Sequence, residues 1–160
     1  MAIQDEFKQA LSTWASGVAV VTTADQGLLY GLTVSSFTSV SLDPPLVLVC
    51  LATSNRMPAM ITSAQRFAVS ILGRDQEEAS SYFAISGREP TAEFVEVEGD
   101  WTPGGMPVVQ GAIAWLECEL YETLTHGDHS IVVGEVVAAR ATEAPSPLIY
   151  YRRAYRGVTD

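Results

Sequence analysis

Cationic, thiol and imidazole side chains are scarce in this chain, and the shortage of cations limits its partners first. Lys8 is the only lysine, and nine basic residues face 19 acidic ones, which gives a formal net charge of −10. This balance argues against nucleic acid and anionic membranes as partners, because both attract basic surfaces. Any anionic ligand must therefore be held locally, by hydroxyls, backbone N–H groups and a few cations.

Cysteines and long apolar runs are equally few. Cys50 and Cys118 lie in apolar, strand-like segments and form neither a disulfide framework nor a zinc spacing, so both are predicted to be buried thiols. No apolar run is long enough to span a membrane. Residues 1–7 lack the basic segment and apolar run of a secretory signal. These features predict a cytoplasmic protein.

The length and composition of the chain predict one domain, residues 1–160, with a sizeable core, because 48% of the residues are hydrophobic and 18% are charged. Hydrophobic periodicity predicts helices over residues 3–15 and 58–63, and a third helix that begins at an Asp75 N-cap and runs through Ala84. It predicts about six strands, with the main ones over residues 18–23, 28–36, 46–51, 66–72, 112–123 and 130–141, and a short last one over 148–151.

These strands follow one another too closely for alternating βαβ units. The predicted fold is therefore mainly β, an antiparallel Greek-key barrel, closed or split, with flanking helices. Residues 86–105 have the weakest pattern, and so long an excursion is expected to be functional or partly helical.

Residues 31–45 alternate apolar and hydroxyl side chains, which is the period of a strand with two different faces. The apolar face is predicted to join the core through Leu32, Val34, Val40 and Leu42. The other face carries Thr33, Ser35, Ser39 and Ser41. It either meets water or presents hydroxyls and reachable backbone N–H groups to a flat polar ligand.

Two further segments could carry chemistry. Ser54, Asn55 and Arg56 supply a hydroxyl, an amide and a cation just before a predicted helix start, which suits either a local anion site or an ordinary loop. Residues 126–129, His-Gly-Asp-His, form a predicted turn. In one interpretation, Asp128 caps backbone N–H groups of the turn and the histidines are exposed. In another, one imidazole hydrogen-bonds a bound ligand. A metal site is the third, although a third strong metal-binding side chain is missing. A hydrolase triad is disfavoured because the chain has no Gly-x-Ser-x-Gly motif.

Several segments taken together resemble a known family. They are the run Gly31-Leu32-Thr33-Val34-Ser35-Ser36-Phe37-Thr38-Ser39-Val40-Ser41-Leu42-Asp43-Pro44-Pro45, then Phe67-Ala68-Val69-Ser70-Ile71-Leu72, Phe83-Ala84, and Gly127-Asp128-His129-Ser130-Ile131-Val132-Val133-Gly134-Glu135-Val136. In register from about Phe7 to Tyr155, the chain closely resembles the short-chain flavin reductases, the flavin reductase-like proteins with an FMN-binding split barrel.

The resemblance implies a homodimer with an antiparallel split β-barrel that binds FMN or FAD and reduces it with NADH or NADPH. It implies an NAD(P)H:flavin oxidoreductase that supplies reduced flavin to a separate flavin-dependent monooxygenase. The alternatives are a non-enzymatic flavin- or haem-binding split-barrel protein and a structural barrel without ligand. The choice between FMN and FAD, the choice between NADH and NADPH, the oxygenase served, and whether flavin diffuses away all remain open at this stage.

The resemblance also implies site residues. Against the isoalloxazine it places Thr33, Val34, Ser35 and Ser36. Along the ribityl and phosphate groups it places Cys50, Leu51, Ala52, Ser54, Asn55 and Arg56. The next helix brings Phe83 and Ala84 to the flavin, although aromatic residues at such positions more often pack in a core. Near the nicotinamide it places Gly127, Asp128, His129 and Tyr155, with His129 as the expected catalytic residue and no metal.

Overall fold

The computed structural model describes residues 2–143 and 146–159, and in these the chain forms three helices and twelve strands. The helices are α1 (Ile3–Leu11), α2 (Met57–Ala64) and α3 (Glu77–Phe83). The strands are β1 (Ser16–Gly17), β2 (Ala19–Asp25), β3 (Leu28–Val34), β4 (Thr38–Leu42), β5 (Pro45–Ala52), β6 (Arg66–Ile71), β7 (Gly99–Trp101), β8 (Pro107–Val109), β9 (Ala114–His126), β10 (His129–Ala141), β11 (Ile149–Tyr151) and β12 (Ala154–Arg156).

Seven strands form one antiparallel sheet in the order β3-β2-β6-β9-β10-β5-β4. A second sheet has the order β1-β11-β12, and β7 pairs with β8. The predicted mainly β, antiparallel architecture with flanking helices is confirmed. No helix in the described part of the chain is both long and apolar enough to cross a membrane.

The large sheet is strongly curled. Its two edge strands, β3 and β4, are consecutive in the chain, and only residues 35–37 connect them. An extended link of that length spans at most about 14 Å between Val34 and Thr38. The two edge strands therefore lie close together at one end, but they do not pair with each other. This is the geometry of a split barrel.

Two apolar clusters lie on opposite sides of this curled sheet. Inside it, strand residues such as Val21, Val49 and Phe67 pack together, with Ile61 of α2 inserted among them. Outside it, Phe83 of α3 packs with Val20, Leu72 and Leu148. Alternation along β2 sends neighbouring residues to opposite clusters, which is why β2 is buried on both faces.

Several boundaries differ from the sequence expectation. Helix α1 ends at Leu11, because the Ser12 and Thr13 hydroxyls bond back to carbonyls of the last turn. None of its residues is buried. Val40 and Leu42 were expected in the core but are 50% and 95% exposed on the edge strand β4. Asp75 is not the N-cap of α3, since Gln76 occupies that position.

The excursion after α3 is not helical. It contributes the small β7–β8 pair, and Leu29 and Thr91 form an isolated bridge that ties it to β3. The chain continues past Tyr151, the end of the last predicted strand, because the next residues turn back and form β12. A periodicity search misses such short strands because three residues carry almost no pattern.

Candidate functional site

The end of β3 and the helix α3 form the first wall of the candidate site. Gly31 permits this contact, because a Cβ there would come within 2.5 Å of the Phe83 ring. Two residues further on, the Thr33 hydroxyl donates to the Ser80 carbonyl at 2.7 Å. Arg88 reinforces the junction by donating to the carbonyls of Gly31 and Phe83. The α3 helix is thereby fixed against the outer face of β3.

A cavity of about 170 Å³ opens at this junction. It brings together five residues expected at the site, Thr33, Val34, Ser35, Ala84 and Tyr155. The hydroxyls of Tyr155 and Ser80 are hydrogen-bonded at 2.7 Å, and the Tyr150 ring meets the Tyr155 ring edge-on at 5.7 Å. The wall is thus a hydroxyl-bearing strand end on one side and two tyrosines on the other.

Sequence reasoning missed three residues that line this cavity, namely Val18, Ser80 and Tyr150. Ser80 lies one helical turn before Ala84, so a search along the face of α3 that carries Ala84 would have found it. Tyr150 lies between two half-buried neighbours on a short strand, and the sequence contains no comparable indication for it.

Two expected side chains lie in the core. The side chains of Phe83 and Leu51 are 0% and 1% exposed, and they belong to the outer and inner clusters, respectively. They shape the elements that carry the cavity but do not line it. This is the packing alternative that aromatic residues at such positions usually take.

The gap between the sheet edges is bridged at Ser36. Its hydroxyl accepts from the Cys50 N–H at 3.1 Å and donates to the Cys50 carbonyl at 2.9 Å. Cys50 is half-buried, and Ala52, two residues along β5, is paired with His129. Two residues of strand measure about 7 Å. The fold therefore brings the strand end at 33–36 close to the β9–β10 turn.

That turn is organised around one carboxylate. Asp128 Oδ1 lies 2.7 Å from His129 Nδ1, and this hydrogen bond, with the charge of the imidazole, holds the pKa of Asp128 below its usual value. The Asp128 carbonyl accepts from both the N–H and the hydroxyl of Thr53, at 2.9 and 3.1 Å. The loop after β5 is thereby fastened to the turn, and His129 is half-exposed at the junction.

The loop residues expected to meet an anion have other partners here. Asn55 Oδ1 accepts from the Met57 N–H at 2.8 Å and so satisfies the start of α2. Arg56 forms a two-point ion pair with Glu89, at 3.0 and 3.2 Å, and its guanidinium lies 5.8 Å from the centroid of the Tyr30 ring. Ser54 is exposed in the same loop. A phosphate role for these three residues stays a prediction.

Within residues 2–143 and 146–159, no group of three or more His, Cys, Asp or Glu side chains could hold a metal ion. Both cysteines are free. Burial, together with the nearby Glu117 carboxylate, raises the pKa of Cys118 to about 12, so this residue is an inert thiol in the core.

Comparison with known proteins assigns the family. Residues 11–159 match the flavin reductase like domain. The chain belongs to this family. The NADH-dependent flavin reductase StyB of Pseudomonas fluorescens is 37% identical over 156 residues, which are 94% of this chain and 88% of that protein.

Solved structures of flavin reductases share the fold. The styrene monooxygenase flavin reductase from Pseudomonas putida S12 superposes with a TM-score of 0.86 and 37% identity, covering 96% of this chain and 97% of that one. The NADH:FAD oxidoreductase SgcE6 of Streptomyces globisporus has a TM-score of 0.91 and 33% identity, covering 98% and 93%, respectively. The resemblance inferred from the sequence motifs is therefore confirmed.

The cavity has the donor set that this flavin reductase-like domain needs for a flavin. A flavin ring carries hydrogen-bonding atoms along one edge and is otherwise flat and apolar. Because β3 is an edge strand of the sheet, alternate backbone groups point away from β2. Leu29 and the Gly31 carbonyl already have partners in Thr91 and Arg88, so such a ligand would meet the strand end at Thr33, which lines the cavity. The Thr33 and Ser35 hydroxyls lie on that edge, and Tyr150 and Tyr155 supply flat apolar surface.

Proposed function

We propose that this protein is an NADH-dependent flavin reductase that takes FMN or FAD and supplies the reduced flavin to a separate monooxygenase. The cavity at the end of β3 carries the proposal, because it joins hydroxyls, open backbone groups and two tyrosines in one place. When bound, the flavin accepts a hydride from NADH. The protein's own contribution is to hold both ligands in contact and to position their rings.

In this proposal, Thr33, Val34, Ser35 and Ser36 hold the ring edge, and Cys50 and Ala52 continue the surface along β5. His129 has one ring nitrogen occupied by Asp128, so its other nitrogen is directed elsewhere and can hydrogen-bond the nicotinamide carboxamide. Gly127 allows the tight turn, with a φ of 59°. Tyr155 and Ala84 bound the cavity from the far side.

Arg56 is proposed to bind the flavin phosphate by exchanging its ion pair with Glu89 for the ligand. A charged hydrogen bond is worth roughly 1.5–3 kcal/mol, so Arg56→Ala should weaken FMN about tenfold or more and riboflavin little. Glu89→Gln is the matched variant, because it frees the guanidinium and should tighten FMN. Equal losses for FMN and riboflavin in Arg56→Ala would remove Arg56 from the phosphate site.

The decisive experiment mixes the protein with NADH or NADPH under air and follows nicotinamide absorbance with and without added FMN or FAD. Oxidation that requires both protein and added flavin supports the reductase. Flavin colour that stays with the protein without nicotinamide oxidation supports the alternative, a flavin-binding protein without enzymatic activity. Two of the relatives named above are described as NADH-dependent or as an NADH:FAD oxidoreductase, so NADH is expected to be the faster reductant.

We further propose that residues 1–160 form one domain, that the chain works as a homodimer, and that it acts in the cytoplasm. The exposed apolar residues of the edge strand β4, Val40 and Leu42, support an interface with a second copy. Two free thiols suit a reducing compartment. Sedimentation that shows a monomer at micromolar concentration would contradict the homodimer.

A further inference from the structure

A groove of about 670 Å³ lies between α1 and the turn that connects β11 to β12. It shares Ser35 and Tyr150 with the small cavity at the end of β3, so the two spaces adjoin each other. A ligand whose ring occupies the cavity could therefore extend an arm into the groove.

The groove concentrates positive charge in an acidic protein. Lys8, Arg152 and Arg153 line it and make up three of the nine basic residues of a chain whose net charge is −10. The adjoining hollow is lined by the same three cations and by Asp5. Ser12 and Ser36 add hydroxyls to the groove. This is the equipment that a phosphate-bearing group requires.

The backbone strengthens the argument. Tyr151 pairs with Ala154, so Arg152 and Arg153 are the two central residues of a tight turn, and both have positive φ, 49° and 61°. Such turns favour Asn and Gly, because other side chains strain the left-handed conformation. The chain carries two arginines instead. Arginine at strained positions indicates that the charge is needed there.

Arg152 is also held in place by contacts with two neighbouring elements. The Arg152 N–H donates to the Ser12 carbonyl at 2.9 Å, which ties the turn to the end of α1. Arg152 Nε donates to the Tyr151 hydroxyl at 3.0 Å, and its guanidinium lies 5.5 Å from the centroid of that ring. Beside these cations, Trp14 is 78% exposed and offers a flat surface to a base.

We propose that this groove binds the adenosine diphosphate arm of a dinucleotide. FAD and NADH both contain this arm, whereas FMN and riboflavin lack it. The cations would meet the diphosphate of NADH or, in FAD, the phosphate nearer the adenosine, and Trp14 would meet the adenine. The proposal rests on the proposed function only for the position of the ring, because the groove itself can be tested with ADP alone.

The test uses Arg152→Asn/Arg153→Gly, which removes both charges while giving the turn the residues that it favours. The variant should melt at the same temperature as the wild type or higher, yet bind ADP about five- to tenfold more weakly by calorimetry. Lys8→Gln, on the opposite wall, should weaken ADP in the same direction. Arg140→Gln on β10 is the single-charge control, because Arg140 lines neither the groove nor the cavity, and it should leave ADP binding unchanged.

Titration with the whole ligands identifies the source of the arm. If the double variant weakens FAD but leaves FMN and the NADH KM unchanged, the groove serves the flavin; if it raises the NADH KM alone, the groove serves the reductant. Unchanged ADP affinity in the double variant, or wild-type protein that does not bind ADP, overturns the proposal. ADP binding requires no turnover, so a chain that binds ADP through these arginines but oxidises no NADH would refute only the reductase function.

Discussion

At the scale of single residues, the Asp128–His129 pair has a signature that can be measured directly. The imidazole lowers the pKa of Asp128 from its ordinary value of 3.8. A lowered pKa means that the pair supports the turn above that ordinary value and loses this support as the pH falls through the lowered one. We expect a carboxyl titration by NMR to show an Asp128 midpoint below 3.8 in the wild type and a return towards 3.8 in His129→Ala.

The same variant tests the role proposed for His129. His129→Ala should lower turnover or raise the NADH KM while flavin still binds, because the change removes a hydrogen-bonding ring and no part of the core. Activity that is lost on chelation and restored by zinc would contradict the proposed role and indicate a metal site instead.

Gly31 supports a second prediction at this scale. Gly31→Ala places a methyl group within 2.6 Å of two atoms of the buried Phe83 ring, so the ring and α3 must shift. Overpacking of this kind costs about 1–3 kcal/mol, which denaturant unfolding would reveal as a lower midpoint. Gly17→Ala is the matched control, because nothing lies within 4 Å of a Cβ there, and it should change stability by less than about 0.5 kcal/mol. Equal midpoints for the two variants would show that α3 adapts freely.

Residue-level prediction succeeded where side-chain chemistry repeats along a strand and failed where tertiary packing decides. The alternation of hydroxyls at Thr33 and Ser35 predicted a strand with a polar face, and the end of that strand lines the cavity. Ser80 and Tyr150 reach the same cavity from a helix and a distant short strand, and no local pattern links them to it. Arg56 was expected as an available cation, but Glu89, 33 residues away in the chain, is its partner.

At the scale of elements, the junction between the loop after β5 and the β9–β10 turn depends on Thr53. Thr53→Val removes the 3.1 Å hydroxyl bond to the Asp128 carbonyl and keeps the backbone bond. We expect the NADH KM to rise a few-fold with little change in kcat or in flavin affinity, since one neutral hydrogen bond is worth about 1 kcal/mol. Thr53→Ser should restore the wild-type KM.

The control for this prediction is Thr62→Val on α2, which loses a comparable 2.9 Å bond to the Pro58 carbonyl away from the turn. If both variants change the NADH KM alike, the effect comes from general loosening and Thr53 has no positioning role. A change in flavin affinity without any change in the NADH KM would place the turn on the flavin side of the site.

Element prediction shows the same division between local and distant causes. The periodicity of residues 3–15 correctly indicated a helix as far as Leu11, but it also implied a buried face, and Phe7 and Leu11 are exposed in the single chain. Periodicity reports that a face is apolar and does not report what covers it. The long hairpin of β9 and β10 was found because valine-rich alternation persists over many residues, whereas β7, β8 and β12 were too short to be detected.

At the scale of the whole molecule, reduced flavin is expected to leave the protein. Hydroxyls, backbone groups and tyrosines line the described cavity. A flavin that is held only by such contacts can exchange them for water and dissociate. Turnover should therefore saturate with added free flavin. When a dialysis membrane separates this protein from its oxygenase partner, hydroxylation should continue. A control chamber without oxygenase measures how much reduced flavin is lost to oxygen. Complete loss of hydroxylation across the membrane would mean that the flavin stays bound.

The short link at residues 35–37 has a thermodynamic consequence. It is at once the connection that draws the two sheet edges together and the surface that the ligand is proposed to contact. A ligand there would bind the curled sheet and not the unfolded chain, and would link the two edges of the sheet. Binding would then appear as added resistance to unfolding, about 2.7 kcal/mol at a flavin concentration of one hundred times Kd. The melting temperature of the protein should therefore rise with the flavin concentration.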